Sequence, residues 1–417
     1  MTEALIQMNV SRKALLAGIF AICFGAADAQ ELRFKTEVGG DWQWPDVASL
    51  ETALGFPTMQ TARASLRAMA DGDAFGLQWE LHGTLVTRSG DAASLRNMLS
   101  GMGASPPPAT LFDFNGQRFS GDTETSWSLD RANVTWTSDT FVLRVGRQAI
   151  TWGNGLVFSP SDVVAPFSPN SPDRSYKTGT DMIYAQYLLE NGADIQAVYI
   201  PRPLTAGGAV SDDASTYALR GYANAGNFDL TVTLARDRGE WVVGLGGSGS
   251  VGEGALKADV VVWDPTGGTI DPSWVINYSN FASLGDLGFS YFIENYRNGF
   301  GVAADTAVSD LPSTLASRMS TGQVFFAGRN FWAGGLQAFV TPDLMISPTV
   351  IMNSDDQSAL LSLSANYTLG DNTDISLNYS KPFGANGTEF GGRETTSGGG
   401  IYVGPPESVS VKISQFF

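Results

Sequence analysis

The sequence predicts an all-β fold of about 18 antiparallel strands, with 16 as the neighbouring even count. Three observations carry that prediction. Apolar and polar residues alternate one by one over segments of roughly 9 to 12 residues. The connections between these segments are short and long by turns, and the chain opens on a stretch that reads as an export leader.

The leader is the first element. Arg12 and Lys13 make a basic start, Ala14 to Phe24 an apolar core, and Ala27-Asp28-Ala29 a small-residue cleavage site. Residues 1–29 are expected to be a cleaved signal peptide and residues 30–417 a single exported domain, because no linker-like change of composition divides them. The apolar core is too short to span a bilayer, and no later stretch reaches the roughly 18 uninterrupted apolar residues of a membrane helix. The single cysteine, Cys23, lies in the leader behind Phe20-Ala21-Ile22, a context that argues against a lipid anchor and leaves the domain without disulfides. The formal charge is −17, from 42 acidic and 25 basic residues. Glu3 and Asp28 balance Arg12 and Lys13, so the exported domain keeps that excess, which argues against nucleic acid as a partner.

Strand periodicity is clearest near the C-terminus. Leu361, Leu363, Ala365, Tyr367 and Leu369 alternate with Ser362, Ser364, Asn366 and Thr368; a Gly370-Asp371-Asn372 turn follows; then Ile375, Leu377 and Tyr379 alternate with Ser376, Asn378 and Ser380. The last strand sets Val409, Val411 and Ile413 against Ser408, Ser410, Lys412 and Ser414, and ends at Phe417. An aromatic C-terminus closing such a strand, after a signal peptide and in a chain without further cysteine, resembles the terminal assembly signal of Gram-negative outer-membrane β-barrels. In size and strand count the chain is similar to the alginate-export and carboxylate-channel porins. The likeness is architectural, so no binding residue is carried over from either group. It implies a transmembrane antiparallel up-and-down β-barrel in the bacterial outer membrane. Its surroundings would be membrane lipid and lipopolysaccharide, with the barrel assembly machinery reading Phe417, and it would need no cofactor.

Such barrels have short periplasmic turns and longer outer loops. Counted back from Phe417, the connections fall at 382–407 (long), 370–372, 353–358, 341–342, 297–328 (long), 282–285, 264–272, 250–254, 237–239, 224–226, 201–213 (long), 190–192, 149–180 (long), 138, 87–126 (long), 71–73 and 42–59 (long). Every very long connection falls on one side; only 237–239 is short where a longer loop is expected. Closure is forced, because an open sheet edge in hydrocarbon would leave unpaired backbone groups costing several kcal/mol each. Trp136, Tyr367 and Phe417 suit a periplasmic aromatic girdle, and Trp241, Trp274, Tyr379 and Trp332 an outer one, although each is equally readable as an ordinary strand aromatic. The segment 87–126, with Pro106-Pro107-Pro108, reads as an exposed loop, and 297–328 holds a candidate short helix from Leu311 to Met319.

Parity then assigns the lumen. With Leu32, Phe34, Thr36 and Val38 on lipid, Arg33, Lys35 and Glu37 point inward; with Ala62, Ala64 and Leu66 outward, Arg63 and Arg67 point inward, and Arg131 and Arg144 follow by the same rule. These six cations would form a basic wall offering successive weak sites to a carboxylate or phosphate, which is what passage requires. The other reading is that Glu37, Glu80 and Asp130 neutralise them and the wall is merely braced. His82 shares an inward face with Gln78 and Glu80; a hydrolase would use such a pair, but no nucleophile stands at a recognisable spacing, so no catalytic residue is assigned. There is no metal-ligand cluster, and Gly246-Gly247 and Gly398-Gly399-Gly400 lack the lysine and helix of a phosphate loop.

The stretch 149–180, the third outer loop, is too apolar and too rich in Pro and Gly for an ordinary solvated loop. Trp152, Phe158, Val163, Val164 and Phe167 need cover. In porins this loop commonly folds into the lumen, and the resemblance implies a constriction with Arg147, Asp162, Asp173, Arg174 and Lys177 on its charged rim, Trp152 and Phe167 buried, and Gly153 and Gly155 at the bend. The alternative is a loop packed over the rim. The function expected is a porin or channel, not an enzyme, for diffusion or selective passage of small or extended anionic hydrophilic solutes. A non-conducting barrel presenting its loops as an adhesin or assembly partner is the second reading.

Overall fold

The structure, a computed structural model, describes residues 29–102, 110–164, 166, 168–169, 176–205, 207–264 and 271–417. The expected leader lies outside the described residues as far as residue 28, and so do Phe167, Asp173 and Arg174.

The alternating segments form strands that wind up and down in chain order. These are β1 (Ala29–Trp44), β2 (Met59–Ala74), β3 (Leu77–Gly90), a short β4 (Gly116–Ser120), β5 (Thr123–Thr137), β6 (Phe141–Gln148), β7 (Thr180–Leu188) and β8 (Asp194–Ile200). There follow β9 (Thr216–Ala225), β10 (Phe228–Asp237), β11 (Glu240–Val251), β12 (Gly254–Trp263), β13 (Ser273–Leu284), β14 (Leu287–Arg297), β15 (Asn330–Thr341), β16 (Leu344–Asn353), β17 (Ala359–Thr368) and β18 (Thr373–Phe383). A two-stranded piece, β19 (Arg393–Glu394) with β20 (Tyr402–Val403), precedes the last strand, β21 (Glu407–Phe416).

All neighbours pair antiparallel, and β21 pairs back onto β1 from Lys35↔Phe416 to Trp44↔Glu407, so the sheet closes. Phe417 continues that seam: its N–H donates to the Phe34 carbonyl at 2.9 Å, and its own carbonyl accepts the Phe34 N–H at 3.1 Å. Setting aside β4, which pairs only with β5, and the β19/β20 pair, the 21 strands leave 18 in the ring. Among the described residues the ring of 18 strands has no open edge, which is the condition for crossing hydrocarbon. Leu32, Val38, Leu230, Leu245, Ile276, Ile293, Val350, Leu377 and Ile413 face outward and exposed, giving the apolar belt that alternation requires.

At one end the turns 75–76, 138–140, 189–193, 226–227, 252–253, 285–286, 342–343 and 369–372 are short; every long connection lies at the other. The weak point of the count is a two-residue turn at Arg238-Gly239, with both residues at positive φ. The second outer connection differs from an exposed loop. It opens with helix α2 (Asp91–Gly101; α1 is the short turn Leu50–Ala53) and ends in the β4 hairpin on the outer half of β5. Asp91 accepts the Gln60 N–H at 2.8 Å and Ala93 is buried, so this helix is held by a few tertiary contacts rather than a broad apolar face. Helix α3 (Ser313–Ser320) stands where the short helix is expected.

Candidate functional site

The loop between Gln148 and Thr180 leaves the rim and crosses the lumen. The Trp152 indole donates to Gln196 on β8 at 2.9 Å. Asn154 gives its backbone and side-chain N–H groups to Asp259 on β12, at 2.6 and 2.7 Å, and its carbonyl accepts from Asn277 on β13 at 2.9 Å. The N–H groups of Leu156, Val157 and Phe158 then converge on Glu294 of β14, at 2.6, 3.0 and 2.8 Å. From β6 to β14 is eight steps round the ring, so the segment reaches the far wall. A loop inside a barrel loses the water that would satisfy its amides; two inward carboxylates, both buried, replace it.

Packing follows the same path. Trp152, Val163 and Val164 join Met182, Val198, Ile200, Ala218, Ala235, Val242 and Val261 in one apolar cluster. Val157 and Phe158 join Val275, Tyr296, Phe326, Phe331, Ile351, Leu360 and Phe390 in a second. Phe158 stacks on Tyr296 with centroids 4.3 Å apart, and burying such a ring contributes about 2–3 kcal/mol. The expected bend is present: Gly153 has φ +105°, and a Cβ on Gly155 would lie 1.6 Å from the Phe158 carbonyl oxygen.

Of the charges expected on a constriction rim, the three within the described residues, Arg147, Asp162 and Lys177, are placed otherwise. Arg147 is buried and grips Asp181 with two bonds of 2.7 and 2.9 Å while donating to the Phe112 and Leu129 carbonyls. Lys177 and Asp162 pair with each other, both buried, and Lys177 also donates to the Ile150 carbonyl. These are struts holding the loop rather than presented charges. The returning limb ends on Tyr176, whose ring lies under two guanidiniums, Arg67 at 3.8 Å and Arg131 at 4.7 Å. Burial pushes the Tyr176 phenol up to about 12 against the opposing pull of Arg131 and Arg67, so it is a neutral hydroxyl at ordinary pH.

The six residues of the basic wall all lie on the lumenal face. Arg33 pairs with Asp71; Lys35 with Glu37 at 2.9 Å; Arg63 approaches Glu37 at 3.9 Å; Arg67 approaches Asp130 at 3.8 Å. Arg131 instead donates to the carbonyls of Asp130 and Lys177, and Arg144 to the Thr135 hydroxyl at 2.9 Å. A bulge explains the density here: His82 pairs with Arg131 and Gly83 with Leu129, so Asp130 is the extra residue, and it faces inward next to Arg131, taking bonds from Thr84 and Ser128. His82 is held between Asp71, at 2.7 Å, and the Tyr176 hydroxyl, at 2.8 Å, while Glu80 accepts from Asn133 at 2.7 Å. The His82 and Glu80 side chains thus serve different partners.

Opposite the packed loop the lumen is open. A cavity of about 630 Å³ is lined by β1, β2, β15 to β18 and β21, with Arg63, Lys35, Lys412, Asn366, Ser376 and Ser410 on its walls. Parity alone marks Asp259, Asn277 and Glu294 as inward; what it could not show is that their partners lie 105 to 138 residues away in a loop.

No family model and no curated protein matches the sequence. Solved structures do match in fold. OccK8 (OprE) of Pseudomonas aeruginosa superposes with a TM-score of 0.53 at 8% identity, over 94% of this chain and 99% of that one. OccK5 (OpdH) of the same organism gives 0.52 at 11%, over 94% and 98%. Pseudomonas aeruginosa OpdK, solved with vanillate, gives 0.50 at 10%, over 94% and 100%. A further structure of OpdK, described as an outer-membrane protein of Pseudomonas aeruginosa, gives 0.52 at 9% identity, over 94% and 100%. At such identities the likeness establishes the fold alone: this chain is a closed 18-strand antiparallel barrel.

Proposed function

We propose that this barrel is a channel in a bacterial outer membrane that passes small anionic hydrophilic solutes. The observation that carries the reading is the division of the lumen: a loop anchored on the far wall fills one side, and the cavity left open carries Lys35, Arg63 and Lys412 in a cluster around Glu37, with Asp41, Asp343 and Asp374 elsewhere on its lining. Cations set along a wall attract an anion, while their sharing with Glu37 and Asp130 keeps each site weak enough for release. A carboxylate is the expected head group, in line with the vanillate of the OpdK structure. In this reading residues 1–29 direct export, Phe417 is the signal read by the barrel assembly machinery, and lipid and lipopolysaccharide surround the belt. No covalent chemistry is assigned: His82 braces Tyr176 and Asp71.

The test is single-channel recording of the refolded protein in planar bilayers. A conducting, anion-preferring channel is expected, and replacing Arg63, Arg67, Arg131 and Arg144 with Gln should remove most of the preference. A barrel that serves only to present its loops would pass no current, and unchanged selectivity in the fourfold variant would defeat the basic-wall mechanism.

A further inference from the structure

Register lines up one row of inward positions across six strands, a row that climbs obliquely along the lumen because barrel strands are tilted. Arg88 pairs with Arg63, Arg63 with Gly39, Gly39 with Lys412, Lys412 with Ser376, and Ser376 with Asn366. The row has a cationic arc and a neutral arc, and Gly39 sits between Arg63 and Lys412. A Cβ at Gly39 would lie 2.3 Å from the Val411 carbonyl oxygen, so the close approach of β1 to β21 restricts the position to glycine. That leaves a notch between two cationic side chains. Two carboxylates flank Gly39 along β1: Asp41, which pairs in register with Ser410, and Glu37, which is approached by three cations, Lys35 at 2.9 Å, Lys412 at 3.1 Å and Arg63 at 3.9 Å. Arg63 keeps 44% of its side chain exposed to the lumen.

The neutral arc is a grid of hydroxyls and carboxamides. Ser376 donates to Asn366 at 2.8 Å, Ser364 to Asn378 at 2.8 Å, and Asn378 to Ser410 at 3.4 Å. Each of these groups both donates and accepts, with capacity beyond the bonds it makes here. That chemistry matches a chain of hydroxyl groups; an apolar tail laid on it would strip water from polar groups and return nothing.

We propose that the part of this row facing the open cavity is a subsite for a polyhydroxylated carboxylate of the aldonate type. Arg63 and Lys412 take the carboxylate across the Gly39 notch, and Ser376, Asn378 and Ser410 exchange hydrogen bonds with the hydroxyls. The proposal rests on the anion-passage reading and narrows its substrate class.

Gluconate and hexanoate carry the same charge on the same chain length, so their block of chloride current through the intact refolded barrel isolates the hydroxyls. Gluconate is expected to half-block at about a tenfold lower concentration, the equivalent of one or two net hydrogen bonds. In a Ser376→Ala, Asn378→Leu, Ser410→Ala variant that ratio falls to near one. Ser376→Ala alone, a smaller change to the wall, lowers it in the same direction should the triple variant fail to assemble. Lys412→Gln weakens block by both acids alike. Equal half-blocking concentrations for the two acids in an anion-preferring channel overturn the subsite and leave anion passage standing; a channel without anion preference overturns both.

Discussion

The two halves of the lumen are built by the same alternation and end in opposite states. Along β8 to β15 the inward positions include Ile200, Val242, Val261, Val275 and Phe331, all buried, and the third outer loop lies on them. Along β17, β18, β21 and β1 they are mostly Ser, Asn, Thr, Lys, Asp and Glu, and the space beside them is open. An apolar inner wall can be stable in a water-filled barrel only if something covers it. The difference teaches that inward residues encode where a loop docks as well as what a solute meets. Asp259 and Glu294 sharpen the point: they stand within the apolar half, where a carboxylate is costly unless hydrogen-bonded, and there they take the loop's amides.

The strongest way to break the contrast is to remove the cover. Replacing residues 151–176 by a short Gly/Ser linker should raise single-channel conductance severalfold, because the filled half becomes bore; unchanged conductance would mean the loop does not limit flow. Next in size is Glu294→Ala, which takes the carboxylate from three N–H groups, those of Val157 and Phe158 buried and that of Leu156 half-buried, at about 1–3 kcal/mol for each buried one. The expected outcome is a noisy open state and protease cleavage within 149–179, with the barrel still migrating as a folded band in unheated gels. Phe158→Ala should loosen the same loop by about 3 kcal/mol, read as protease sensitivity at lower denaturant.

The open half should respond differently. Asn366→Ala or Ser408→Ala removes no buried contact and should change stability by under about 0.5 kcal/mol in urea unfolding; a cost like that of Phe158→Ala would erase the distinction between the halves. The smallest effect is alkaline. With its phenol raised from 10.0 to about 12, Tyr176 ionises later folded than unfolded, so its contribution is intact below pH 10 and is lost as pH rises from there through about 12. Gating noise should grow in that window in the parent channel and not in Tyr176→Phe.

Much of the architecture was legible because strand alternation is a one-dimensional signal. The expected 149–180, 264–272 and 297–328 connections stand in the structure at 149–179, 264–272 and 298–329. The need to cover Trp152, Phe158, Val163 and Val164 was legible as well. What covers them was not, since parity marks Glu294 as inward without saying that Leu156 to Phe158 will reach it from across the ring. For the same reason Arg147 and Lys177 read as rim charges, although Asp181 and Asp162 bury them as struts. Helix α2 was hidden because only Ala93 in it is buried, and strict alternation gives no sign of the bulge that puts Asp130 on the same face as Arg131.

The central claim is that anions pass along the open half, drawn by cations within a barrel whose overall charge is −17. The reversal potential of the refolded channel in a potassium chloride gradient tests it most directly. The account predicts a potential of the sign set by chloride, moving toward zero when Lys35, Arg63 and Lys412, the cations of the open half, are neutralised. A potential of the sign set by potassium, or no current at all, would contradict it.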